Sequence, residues 1–293
     1  MPELPEVETI ACGVDARARG DRIVEAWFSS YREPFKTPPK RQAGELQGRI
    51  IVAVHRTGKH IVFELGPADG NRETGNLRSR LSSIEPQAIE PQAQWIVHLG
   101  MSGRLLVTTP DAPVAAHTHA RLSLAGGLEL RFIDPRRFGR LEFRDLGRAK
   151  GFAGPGAEPF TIAPADFAML FRGRKLAIKA ALLNQRLLSG VGNIYADEGL
   201  FRAGIRPAKR AGKLTGKELE RLRIALCEVL AHAIRLGGSS VSDYVGADGE
   251  RGFFQIEHCV YRRTGQPCPR CQTPIRRILI AGRGTHYCPH CQR

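Results

Sequence analysis

The opening residues MPELPEVE place a proline at position two and carboxylates at Glu3, Glu6 and Glu8. Methionine ahead of proline is usually trimmed, and Pro2 would then carry a free secondary amine. An α-amino group titrates near about 7.7–8.0, far below lysine, so more of it is nucleophilic at neutral pH. Attack on an electrophilic carbon gives an iminium ion, a Schiff base that needs no further proton. Glu3 and Glu6 could move protons to a leaving group and from a carbon acid. A second reading stands beside this one. Pro5, Glu6 and Glu8 make a good helix start, with proline in the first turn and acids at the positive end of the dipole. That reading leaves Pro2 unexplained.

The other chemical signal is C-x2-C-x16-C-x2-C, formed by Cys268, Cys271, Cys288 and Cys291. Two CxxC turns offer four thiolates to one tetrahedral ion, and the spacer fits a β-hairpin. Four protein ligands close the site, which predicts one structural zinc ion. The hairpin carries Arg276, Arg277 and Arg283, and residues 260–293 hold seven arginines and no acid. Cys12, Cys227 and Cys259 are scattered and read as inert thiols.

These groups need elements to hold them. Val7, Ile10, Ala11 and Val14 fall on one helix face, and Gly20 is a plausible stop. Residues 22–144 read mostly as strand: RIVEAWFS, GRIIVAVHRTGKHIVFEL, WIVHLGMSGRLLVT and ARLSLAGGLELRFID, with turns at Thr57-Gly58 and Gly126-Gly127. Residues 66–94 break the pattern. They contain a tandem IEPQA repeat and read as a mobile insertion. A Gly/Pro-rich linker at 147–164 leads to helices at roughly 165–188, 194–203 and 215–236, then a loop over 237–258. The fold class is α+β and multidomain. An N-terminal helix plus antiparallel β-sandwich spans 1–146, a helical domain 165–258, and a zinc β-hairpin 259–293.

Charge narrows the partner. The 293 residues hold 44 Lys+Arg against 29 Asp+Glu, a net +15, which makes a polyanion the default ligand. No apolar run is long enough to span a bilayer, and no basic-then-apolar leader opens the chain. We therefore expect an intracellular protein with no membrane partner.

MPELPEVE resembles the start of bacterial formamidopyrimidine-DNA glycosylases, and four further segments match in order: HLGMSG at 98–103, DPRRFG at 134–139, GVGNIYADE at 190–198 and AGRGTHYCPHCQR at 281–293. The resemblance implies base-excision repair, with excision of oxidised purines (8-oxoguanine, formamidopyrimidines) and cleavage of the abasic site by β,δ-elimination. Pro2 would attack C1′, Glu3 would act as general acid/base at the sugar, and Glu6 would support the site. Lys59 would hold a phosphate beside the lesion. Lys179, Asn193 and Arg283 would contact further phosphates, Asn193 within a helix–two-turn–helix element. Met101, Arg136 and Phe138 would fill the gap left by the flipped nucleotide, whose extrusion costs a few kcal/mol. The implied partner is double-stranded DNA holding oxidised purines or abasic sites, bound by a monomer in the cytoplasm at the nucleoid. Glu250 and Arg251 occupy variable positions in the loop that resembles a cover over the flipped purine.

Two alternatives remain at this stage. One is the pyrimidine-specific relative, which typically starts with a PEGPE-type sequence where this chain has Leu4 and Val7. The other is a lesion-binding protein that does not cut, if Met1 is retained. For 66–94, three arginines against four acids argue against a DNA-binding arm. Pairing of its flanking strands would put this segment roughly 20 Å from Lys59.

Overall fold

A computed structural model of the protein describes residues 1–31, 33–68, 89–240 and 245–293. Most of the insertion expected to be mobile, residues 69–88, lies outside the described residues. The chain forms two compact units: Met1–Pro2, Glu6–Ala153 and Val241–Gly252 in the first, and Glu3–Pro5, Gly154–Ser240 and Phe253–Arg293 in the second.

In the first unit, helix α1 (Leu4–Ala18) presents the expected apolar face: Val7, Ile10, Ala11 and Val14 are all buried. Asp15 at its far end accepts a 2.6 Å hydrogen bond from Val54 N–H, which pins the helix to a strand. Gly20, in a left-handed conformation (φ 80°), follows the last helical turn, where a side chain would be strained.

Two four-stranded antiparallel sheets follow. One has the order β1 (Ile23–Phe28), β6 (Thr118–Leu124), β7 (Glu129–Ile133), β5 (Arg104–Thr108); the other β2 (Arg49–Thr57), β3 (His60–Ala68), β4 (Ala93–His98), β8 (Arg140–Asp145). Their buried side chains, among them Phe63, Trp95, Leu105, Leu130, Phe132 and Leu141, merge with α1 into one core. Burying a side chain of this size contributes about 1.5–3 kcal/mol.

Two details differ from the sequence reading. The β2–β3 turn is Gly58-Lys59 and not Thr57-Gly58, because Thr57 still pairs with His60. Gly58 at φ 60° takes the first central position, where a tight hairpin needs a residue of positive φ. A short helix, α2 (Pro39–Leu46), also interrupts the strands; Pro39 suits its first turn. It buries Gln42, whose Oε1 accepts from the Trp95 indole at 3.0 Å.

The β3–β4 register runs from His60↔His98 to Leu65↔Ala93, and Gln92 N–H still bonds to Leu65 O. The connection therefore leaves the hairpin at the end opposite Lys59, as expected, but it is shorter than the 66–94 read from sequence, because β3 runs to Ala68 and β4 begins at Ala93.

The second unit is helical, with α3 (Pro164–Met169), α4 (Ile178–Leu182), α5 (Asn193–Ala203) and α6 (Gly216–Arg235). The single helix expected over 165–188 is two short ones. Gly173 at φ 70° marks the break. α6 starts at a reciprocal capping box between Thr215 and Glu218, and α5 ends on left-handed Gly204. Strands β9 (Arg276–Ile280) and β10 (Arg283–Tyr287) close the chain as a hairpin. None of the described helices is long and apolar enough to cross a membrane.

Candidate nucleic-acid interface and reactive N-terminus

Pro2 is buried ahead of α1, and Glu6 is buried in the helix's first turn. Glu8, the third acid of the opening cluster, has a different job. Its Oε2 accepts from Arg56 Nε at 2.6 Å, tying α1 to β2.

The first unit brings four of the expected residues into two neighbouring regions. Lys59 sits in the β2–β3 turn. His60, next to it, pairs with His98 across β3 and β4, their rings 4.8 Å apart. Burial, with nearby Lys59 and Lys36 adding to it, pushes His98 down to about 4, so this imidazole is neutral at pH 7. Its Nδ1 then accepts from Gly100 N–H at 3.2 Å.

From His98 the chain crosses from one sheet to the other through Leu99–Gly103 and enters β5. The segment Asp134–Gly139 crosses back from β7 to β8. Because His98 pairs with Arg140 and Arg104 pairs with Ile133, the two crossings are forced to lie side by side. Their backbones touch: a Cβ on Gly100 (φ 66°) would sit 2.5 Å from Phe138 C and Gly139 N. No residue but glycine fits there.

The tips of these crossings carry Met101, Arg136 and Phe138. Met101 is 44% and Phe138 49% exposed, large apolar groups held in solvent and not used in the core. The Arg136 guanidinium lies 4.7 Å over the Phe138 ring, a cation–π pair that presents both together.

In the second unit, Glu3 lies at the N-terminus of α5. Its Oε1 accepts from Ile194 N–H at 3.1 Å and its Oε2 from Tyr195 N–H at 3.4 Å. A helix N-terminus offers unpaired N–H groups and a positive dipole end, so a carboxylate is at home there. Gly192 leaves the room: a Cβ on it would fall 2.3 Å from Glu3 Cδ.

One turn further, Asp197 meets Lys179 from α4 at 2.7 Å, with both side chains 0% exposed. Lys179 Nζ and Asn193 Nδ2 both donate to Gly284 O, at 3.0 and 3.1 Å. The other Asp197 oxygen accepts from His286 N–H at 2.9 Å and lies 3.1 Å from His286 Nδ1. Burial lowers the Lys179 pKa, and Asp197 opposes that. Lys179 thus faces into the unit and fastens α4 and α5 to β10. Arg283, at the start of β10, is exposed, with no carboxylate within 4 Å among the described residues.

The four predicted cysteines converge. Their Sγ atoms lie within 4.8 Å of one another, with Cys268–Cys291 at 3.9 Å and Cys271–Cys288 at 3.5 Å. Ligands 2.3 Å from a tetrahedral zinc ion are about 3.8 Å apart, so the donor set fits. Arg270 and Cys291 N–H groups each point at a sulfur from 3.4 Å, which stabilises thiolates. Glu198 holds the approach to this module by accepting from the N–H groups of Cys259, Val260 and Tyr261 at 2.9–3.0 Å.

Three family models match the chain: the formamidopyrimidine-DNA glycosylase N-terminal domain over residues 1–141, its H2TH domain over 154–245, and a zinc finger found in FPG and IleRS over 265–293. The chain belongs to the formamidopyrimidine-DNA glycosylase family. A family member so named from Solibacter usitatus is 42% identical, with both chains fully covered. Another, from Symbiobacterium thermophilum, is 39% identical over all of this chain and 89% of its own. Among solved structures, the Lactococcus lactis Fpg complex with an abasic site containing DNA matches at TM-score 0.83 and 33% identity over 99% of each chain. A complex of the same protein with DNA containing an oxidised pyrimidine matches at 0.83 and 33% over 100% of each. The zinc-finger match spans all four cysteines, so the glycosylase carries one structural zinc ion. The ion fixes a hairpin too small to hold itself by its own core.

Sequence reasoning missed Ser102, Asp134, Asp197, Glu198 and His286 as a set. The first four lie inside the quoted motifs and His286 in the terminal segment, so the signal was present. Their partners are distant in sequence, and that hid the roles.

Proposed function

We propose that the chain excises oxidised purines from double-stranded DNA and then cleaves the abasic strand. After loss of Met1, the Pro2 nitrogen donates its lone pair to C1′ of the damaged nucleotide, and the bond from C1′ to the base breaks. The base leaves with that electron pair and takes up a proton. The Glu3 carboxylate takes the N–H proton from the Pro2 nitrogen and passes it to O4′ as the sugar ring opens, leaving an iminium ion between Pro2 and C1′. Loss of a proton from C2′ expels the 3′ phosphate. A second elimination expels the 5′ phosphate and leaves a one-nucleotide gap. Glu6 supports the reacting end of the chain. Lys59 and Arg283 neutralise phosphates, and Asn193 lies where a backbone can approach closely. Met101, Arg136 and Phe138 occupy the space of the extruded nucleotide. Zinc, when bound, supplies structure to the hairpin and no chemistry.

The observation that supports this most is the pairing of Pro2 with the next residue, Glu3, a carboxylate already fixed on the amides of Ile194 and Tyr195. The solved complex of a relative with an oxidised pyrimidine favours a broader substrate range as a second reading. Incubation with 8-oxoguanine and oxidised-pyrimidine duplexes in parallel, with borohydride present, separates the readings. Faster cutting and trapping on the 8-oxoguanine duplex is the expected result. Binding without a trapped adduct contradicts it. We place the enzyme in the cytoplasm as a monomer.

A further inference from the structure

The two crossings that carry Met101, Arg136 and Phe138 are joined by one buried carboxylate. Asp134 is fully buried between them. Its Oδ1 accepts from the Ser102 hydroxyl at 2.6 Å and lies 3.3 Å from Arg136 N. Its Oδ2 accepts from Gly139 N–H at 2.8 Å. Ser102 belongs to the first crossing; Arg136 and Gly139 belong to the second.

The backbone of Asp134 is held from behind. Its carbonyl accepts from His119 Nε2 at 3.1 Å, and its N–H bonds to His117 O. A carbonyl can only accept, so His119 carries its proton on Nε2. Nδ1 is then left to accept from the Ser29 hydroxyl, 3.1 Å away. Burial lowers the His119 pKa, in keeping with a neutral ring.

We propose that Asp134 is a positioning residue for nucleotide extrusion: it locks the two crossings into one rigid wedge, so that Met101, Arg136 and Phe138 enter the duplex together. The inference rests on the wedge reading of those three residues. Strand register fixes the feet of the crossings, at His98↔Arg140 and Arg104↔Ile133. It does not fix their tips. The Ser102–Asp134–Gly139 link does, through charge-assisted hydrogen bonds that are about twice as strong as neutral ones. A wedge that is already ordered gives up no side-chain or loop entropy when it replaces the departing base. Loose tips would lose that entropy in the extrusion step. Cleavage of a strand that is already abasic needs less extrusion and would be spared.

The test uses zinc-loaded full-length enzyme and a duplex with 2-aminopurine beside 8-oxoguanine, whose fluorescence follows unstacking. Ser102→Ala removes the cross-link and leaves the carboxylate bonded to Gly139 and Arg136. Extrusion and excision should both slow about tenfold, the effect of one hydrogen bond to a charged group. Cleavage of a preformed abasic site should change less than about twofold. Ser102→Thr, which keeps the hydroxyl, should restore extrusion. Equal slowing on both substrates, or an unchanged extrusion signal, overturns the proposal. Met101→Ala and Phe138→Ala are run alongside. If they slow extrusion and Ser102→Ala does not, the Asp134 link fails while the wedge stands. If they leave extrusion unchanged, the wedge reading fails and takes the Asp134 role with it.

Discussion

The Glu3 carboxylate accepts hydrogen bonds from the Ile194 and Tyr195 N–H groups at the start of α5, with Gly192 packed against its Cδ. The carboxylate proposed to move protons at the sugar is thereby held by helix backbone and not by a flexible side chain. Gly192→Ala should push Glu3 off these amides. Turnover on 8-oxoguanine duplex should fall on the order of 10²-fold, the lower range for loss of a positioned acid/base. DNA affinity, measured separately, should stay near wild type. Unchanged turnover would show that Glu3 acts without this anchor.

Lys179 and Asp197 form a fully buried ion pair. Removing one partner strands a charge, at about 3–5 kcal/mol. Lys179→Met should lower stability by this order in urea unfolding, and Lys179→Met with Asp197→Leu should recover much of it. A single variant as stable as wild type would mean that the ammonium does not rest on Asp197.

The zinc hairpin displays exposed Arg283 and holds β10 against Asp197. Cys288→Ser should release the metal and weaken binding to lesion duplex. It should also reduce the slope of log affinity against log salt by about one, the share of one lost phosphate contact. Full affinity in a verified metal-free protein would contradict this.

Burial holds His60 down to about 4, and His98 likewise, against roughly 6.5 in an unfolded chain. Between those values the unfolded state binds more protons than the folded one. Stability from these neutral rings is therefore present above about pH 6.5 and lost as pH falls toward 4. Thermal melts from pH 7 to 4.5 should show the decline. His60→Phe should flatten it, since His60 Nδ1 is buried without a hydrogen-bond partner among the described residues. An equally steep decline in the variant would assign the effect to other groups.

Much of this was readable from residues alone. The α1 face was, because Val7, Ile10, Ala11 and Val14 repeat at helical spacing. The metal site was, because four cysteines at fixed spacing have one economical use. Met101 sits between Gly100 and Gly103, which favours an exposed turn, whereas the exposure of Phe138 came only with the family resemblance. Helix α2 was not read: PKRQAGEL has one strong apolar residue, and its short buried face is made of that residue, Leu46, and the polar Gln42. Nor was the break near Gly173, where a positive φ overrides a continuous apolar pattern. The Lys179–Asp197 pair was not legible either, because nothing local announces a buried acid eighteen residues on, brought there by packing of α4 against α5.

The central claim is that the Pro2 nitrogen becomes covalently bound to the sugar. Borohydride reduction of the enzyme on an abasic duplex, followed by nuclease digestion and peptide mapping by mass spectrometry, tests it directly. The account predicts a reduced deoxyribose remnant on the peptide that begins at Pro2, with Met1 absent. A remnant on a lysine such as Lys59, or strand cleavage with no adduct on Pro2, would contradict it.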